Sequence, residues 1–210
     1  APAPVWGWDE TMHAELPAVQ ILLHVQRGDF YEAMEVVHEC DRYPFVYPLL
    51  QAGWQGLFGV GQRTAGYLGT VFLALLVLLA VRLSVQAVRD ENRVDGALIV
   101  GLAAISAPLA RRYAPTLFLE VPALVMIAGA LSAWISRRRF EPGTKGRTRR
   151  DLLTGVLIAV TFFTKFNYAL LLGIAIGLDA LIELALARAG RSTWVSLLRT
   201  AMPLTLGLVW

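Results

Sequence analysis

From residue 66 onward the chain alternates long apolar runs with short charged stretches. Residues 66–88 form the clearest run, ending among Arg82 and Arg89. About 20 apolar residues suffice to cross the hydrocarbon of a bilayer. A shorter run rich in Ala and Gly covers 95–110, and small residues let helices pack closely. Arg111-Arg112-Tyr113-Ala114-Pro115 interrupts it, and 116–136 is apolar again. A loop then carries Arg137, Arg138, Arg139, Lys145, Arg147, Arg149 and Arg150. Two further runs, 152–164 and 166–187, flank Lys165, and after Arg188 and Arg191 a last run covers 194–210. The pattern predicts an all-α, polytopic helical membrane protein, with about five to six spans in 66–210.

Residues 1–65 differ. They are amphipathic and acidic, with Asp9, Glu10, Glu15, Asp29, Glu32, Glu35, Glu39 and Asp41 against Arg27, Arg42 and Arg63. Apolar spacing predicts one short helix over 18–26, ended by Arg27-Gly28-Asp29. A second is expected over 30–40, capped by Asp29 with Glu32 and Glu35 early in it. Pro44 and Pro48 are expected to break the chain, and 49–58, rich in Trp and Gly, suits an interfacial helix. The expected organisation is an extracytoplasmic loop with juxtamembrane helices, 1–65, followed by a transmembrane bundle, 66–210.

Composition supports this division. The 210 residues are 56% hydrophobic, with a mean hydropathy of +0.55, more apolar than a soluble domain requires. The net charge of +3 is modest and points away from nucleic acid. Cys40 is the single cysteine, which excludes a disulfide framework. The first residue is not Met, and no basic stretch leads into an apolar core as in a signal peptide. The final apolar run reaches Trp210, so a fragment is expected, with one span before it and several after. Basic loops favour the cytoplasm, so 137–150 belongs there. Counting spans in both directions adds 89–93 and 188–191 to that side. The acidic first 65 residues, the 111–115 turn and Lys165 fall on the other. The run 152–164 is short for a span, and a tilted or half-inserted helix pair would accommodate it.

Few residues carry candidate chemistry. Asp9 and Glu10, just outside the membrane, can act as a general base and its orienting partner, or bind a metal; as a plain reading they are a solvated loop. Glu120 lies near the external start of an apolar helix, where an ionisable residue is costly and marks a functional site. Its plain reading is an interfacial carboxylate paired with Arg111 or Arg112. Lys165, among Phe162, Phe163, Phe166 and Tyr168, can neutralise a lipid phosphate at the membrane surface or simply snorkel. Arg111, Arg112 and Tyr113 on the same side can complete an anion site, or punctuate two helices. Asp179 and Glu183 are better read as helix packing or partners of Arg188. His13, His24 and His38 lack metal-ligand spacing, although His13 can share a site with Asp9. The metal remains open, and no phosphate-binding glycine loop or nucleophile elbow is present.

The order of motifs resembles the GT-C class of membrane glycosyltransferases, nearest the protein O-mannosyltransferase and aminoarabinose transferase branch. It rests on Trp8-Asp9-Glu10, on Tyr47-Pro48-Leu49-Leu50 before a span, on Arg112-Tyr113-Ala114-Pro115 with Glu120, and on Thr164-Lys165-Phe166-Asn167-Tyr168. The resemblance implies a polyprenyl-phosphate-linked sugar donor and a lipid, glycan or protein acceptor outside the cytoplasmic (inner) membrane. It implies that Asp9 is the general base, that Glu120 positions acceptor or donor, and that Lys165 holds the donor phosphate. Some relatives use a divalent metal ion and others do not. Many members carry two prolines where this chain has Pro48-Leu49, and often Asp where it has Glu120. The alternative class is a membrane transporter or lipid flippase, whose charges lie near mid-membrane in repeated halves. Here the charges gather at one face and no inverted repeat is visible. A non-catalytic scaffold leaves the shared side of Asp9, Glu120 and Lys165 unexplained.

Overall fold

A computed structural model describes residues 15–39, 45–88, 92–106, 120–186 and 200. Among them the structure is all-helical, without strands. The helices are α1 (Leu16–Arg27), α2 (Phe30–His38), α3 (Val46–Phe58), α4 (Gln62–Ala87), α5 (Arg93–Ser106), α6 (Glu120–Ser136), α7 (Lys145–Phe162) and α8 (Phe166–Leu186), with a 3-10 turn at Arg137–Arg139. Two helical stretches, Gln62–Ala87 and Glu120–Arg139, are long and apolar enough to cross a membrane, and Phe166–Ile182 is a shorter apolar one. The chain divides into two compact units. One comprises Ala1–Leu78, Gly101–Val125 and Phe163–Lys165; the other comprises Leu79–Val100, Met126–Phe162 and Phe166–Trp210.

In the first unit α1 packs against α2 and α3. Ala18, Ile21, Leu22, Val37 and Ala52 form its apolar centre. α1 ends as the Arg27-Gly28-Asp29 pattern predicts. Gly28 takes a left-handed φ of 81°, its N–H donates to Val25 O, and the Asp29 N–H donates to His24 O. This closure satisfies two carbonyls of the last turn. It also explains a difference from expectation: Asp29 precedes α2 but its side chain makes no capping bond. Its backbone, at ψ 64°, is committed to closing α1 and is not in the extended conformation that a capping side chain needs.

Pro48 is a second correction. It does not break the chain but sits in the first turn of α3. The first turn of a helix has no intrahelical use for its N–H groups, so a proline is tolerated there. The α3–α4 connection is held by Trp54 Nε1 donating to Thr64 O at 2.8 Å and by the Gly61 N–H donating to Gln55 Oε1 at 3.3 Å.

In the second unit α7 packs against α8 and against the 3-10 turn. Ala130 and Trp134 of α6, Ile158 of α7, and Leu172, Ile176 and Ala180 of α8 form the core. The basic stretch 137–150 is not all loop. Lys145, Arg147, Arg149 and Arg150 form the opening turns of α7, which therefore has 18 residues where the apolar run alone has thirteen. At 1.5 Å per residue it reaches about 27 Å, but its opening turns are charged, so its apolar part stays short for a span. Arg137 is fully buried, its guanidinium 3.5 Å from the centre of the Trp134 ring, a cation–π contact. Asp179 accepts from Trp134 Nε1 at 2.7 Å and pairs with Arg138 at 2.8 Å. Among the described residues its ion-pair partner is Arg138; Arg188, the expected partner, lies outside them. The side chain of Glu183 lies outside them too.

Candidate functional site

The first unit brings two of the candidate residues into direct contact. Glu120 opens α6, and Lys165 ends the Phe163–Lys165 segment between α7 and α8. They are 45 positions apart, yet Lys165 Nζ donates to Glu120 Oε1 as an ion pair. The side chains are partly shielded, at 22% exposure for Lys165 and 36% for Glu120. The other carboxylate oxygen, Glu120 Oε2, is buried and has no hydrogen-bond partner among the described residues.

The segment carrying Lys165 is itself anchored. The Val46 N–H, at the start of α3, donates to Phe163 O at 3.2 Å. The Phe45 and Phe163 rings lie 5.3 Å apart, tilted by 34°. Thr164 is 1% exposed. An N–H of the first helical turn has no intrahelical acceptor, so this bond uses a donor that would otherwise need water. The ammonium therefore projects from a fixed base.

α3 carries a feature that the apolar reading of 49–58 passed over. Tyr47, Gln51 and Gln55 are all buried, at i, i+4 and i+8 on one face. Leu49, Leu50, Leu57 and Phe58 are exposed. The helix turns polar groups inward and apolar groups outward. Neither amide atom of Gln51, nor the Nε2 of Gln55, finds a hydrogen-bond partner among the described residues. The spacing of the three polar residues inside a Trp- and Gly-rich helix was the available signal.

Asp9, Glu10, Arg111, Arg112 and Tyr113 lie outside the described residues. So do Arg188 and His13. Glu120 takes Lys165 as its ion-pair partner, a pairing across 45 residues that no local spacing reveals. No group of three or more His, Cys, Asp or Glu side chains gathers among the described residues. The carboxylate of Glu120 is met by an ammonium, so this part of the site is not built as a cation cradle. Outside the site, partial burial raises the Glu15 carboxyl above its usual range. A hydrogen bond with Glu35, one turn along α2, raises the Tyr31 hydroxyl.

No protein-family model, curated protein or solved structure matches this chain. Function therefore rests on the chemistry of its own residues. Paired, a carboxylate and an ammonium can orient a hydroxyl and neutralise an anion side by side. The Phe163 ring, two residues before Lys165 and against Phe45, adds an apolar aromatic surface beside the pair.

Proposed function

We propose that the chain belongs to a polytopic GT-C-type glycosyltransferase, moving a sugar from a polyprenyl-phosphate donor to an acceptor on the extracytoplasmic side of the inner membrane. The observation that carries the proposal is the ion pair between Glu120 and Lys165, which unites the acid and the cation assigned to one site from separate motifs. Membrane residence draws support from α4. Its most apolar window has a hydropathy of 2.4 and is only 22% buried, whereas the core helix of a soluble protein hides its apolar face. α8 likewise exposes Phe166, Leu170, Ile174, Leu178 and Ile182 at four-residue intervals, a continuous apolar stripe.

In this mechanism Asp9 removes the proton from an acceptor hydroxyl, with Glu10 beside it. The oxygen attacks the anomeric carbon as the bond from that carbon to the phosphate oxygen breaks, inverting the centre. The electron pair leaves with the lipid phosphate, whose growing charge Lys165 stabilises, with Arg111, Arg112 and Tyr113 completing the anion site. Glu120 positions the reacting groups. The metal requirement differs among the enzymes that the motifs resemble, and no step is routed through a metal here.

The test is transfer of a sugar from a polyprenyl-phosphate donor by membranes containing the protein. Asp9→Asn is expected to abolish transfer while leaving thermal unfolding of the purified protein unchanged. Full transfer by that variant removes Asp9 from the mechanism, and no transfer by the wild type with any polyprenyl-phosphate sugar removes the function.

A further inference from the structure

We infer that Glu120 is a displaceable internal counter-ion that occupies the anion position on Lys165 until a phosphate ester takes its place. The inference rests on the proposed function only for the identity of the ligand as a lipid phosphate; the exchange itself is argued from the geometry.

Three observations lead to it. First, Glu120 is bonded to Lys165 through one oxygen, while its second oxygen is buried with no hydrogen-bond partner among the described residues. An ionised carboxylate can accept at both oxygens, and a buried acceptor left bare is unfavourable. Glu120 is therefore held at this position without being fully satisfied there. Second, the Lys165 side of the pair is anchored. Lys165 follows Phe163 and Thr164, which are tied to α3 by the Val46–Phe163 hydrogen bond and the Phe45–Phe163 ring contact. Third, a carboxylate at the first turn of a helix is favoured by the helix dipole, so the displaced Glu120 keeps a compensating field.

The competition favours the phosphate that transfer releases. That monoester carries about −1.5 to −2 charges and three acceptor oxygens, against a single charge and two oxygens on Glu120, whereas the intact donor is a diester with a single charge. The exchange also gives Glu120 a task in the reaction. As the bond to the sugar breaks and charge grows on the phosphate, Lys165 passes from the Glu120 carboxylate to the phosphate. The pair re-forms as the lipid phosphate leaves. Glu120 is in this sense a positioning residue that acts through Lys165.

The experiment is equilibrium binding of a polyprenyl monophosphate to the purified full chain in detergent, with inorganic phosphate titrated in parallel. A partly exposed ion pair contributes up to about 1 kcal/mol, a factor of roughly five in affinity. Glu120→Gln is therefore expected to bind the polyprenyl phosphate up to about fivefold more tightly than wild type. Glu120→Asp is expected to restore wild-type affinity. The double variant Glu120→Gln/Lys165→Gln should bind no more tightly than Lys165→Gln alone. Unchanged or weaker binding by a Glu120→Gln protein with wild-type thermal unfolding overturns the exchange. Binding of inorganic phosphate as tight as that of the polyprenyl monophosphate overturns the lipid as the ligand. Absence of sugar transfer with the affinity gain intact defeats the proposed function and leaves the exchange standing.

Discussion

Removing the carboxylate of Asp179 gives a quantitative test of how the second unit is held. Asp179 does two things: it pairs with Arg138 at 2.8 Å, and it accepts the indole N–H of Trp134 at 2.7 Å. The ion pair is exposed, at 51% for Arg138 and 38% for Asp179, so it is worth about 0.2–1 kcal/mol. The indole bond counts for more because Trp134 is 3% exposed, and stranding a buried donor costs about 1–3 kcal/mol. Asp179→Ala therefore loses about 1–4 kcal/mol. Asp179→Asn keeps an amide oxygen for the indole and loses only the charge, about 1 kcal/mol or less. For a chain of this length each kcal/mol moves the midpoint of unfolding by roughly 2–4 °C. Thermal unfolding of purified variants in one detergent, followed by tryptophan fluorescence, reads the difference. Equal losses for Ala and Asn would show that the charge, not the indole bond, is what matters, and the assignment of roles above would be wrong.

Two other substitutions have definite signs. Gly146→Ala would place a methyl 2.5 Å from Phe140 Cδ1, while the helix gains about 1 kcal/mol from the Gly→Ala change. The substitution should be neutral or destabilising alone and stabilising by about 1 kcal/mol in a Phe140→Ala background; a urea titration of the four proteins decides, and equal effects in both backgrounds refute the contact. Gln51→Leu removes a fully buried amide without a hydrogen-bond partner among the described residues and is expected to raise stability by about 1–3 kcal/mol, seen as a higher unfolding midpoint; a lower one would mean that the amide is satisfied.

Much of the helical layout was legible because apolar runs and breaker residues report local physics. The stop at Gly28 and the long run after residue 61 needed only neighbouring residues to read. Pro48 was misread because a proline signals a break in a helix interior but not in its first turn, and the start of α3 at Val46 was not marked by a capping side chain. The charges of Lys145 to Arg150 hid the opening turns of α7, since a basic stretch looks like a loop whether or not its backbone is helical. The ion pair of Glu120 with Lys165 and that of Asp179 with Arg138 lie 45 and 41 positions apart. Such pairings depend on which helices become neighbours, and no spacing rule within one segment carries that information. The side on which each candidate falls was argued from charge, but which carboxylate meets which cation was not.

The inverted polarity of α3 has a practical consequence for handling the protein. In a bilayer its outward leucines and Phe58 are at home. In water the same helix is stable only if it rolls over, hiding those side chains and wetting the glutamines. Detergents that cover apolar surface poorly should therefore loosen α3 first. Because the start of α3 grips Phe163, two residues before Lys165, the segment that carries the Lys165–Glu120 pair would lose its shape before the rest of the fold melts, and a preparation that passes for intact would already have lost the pair.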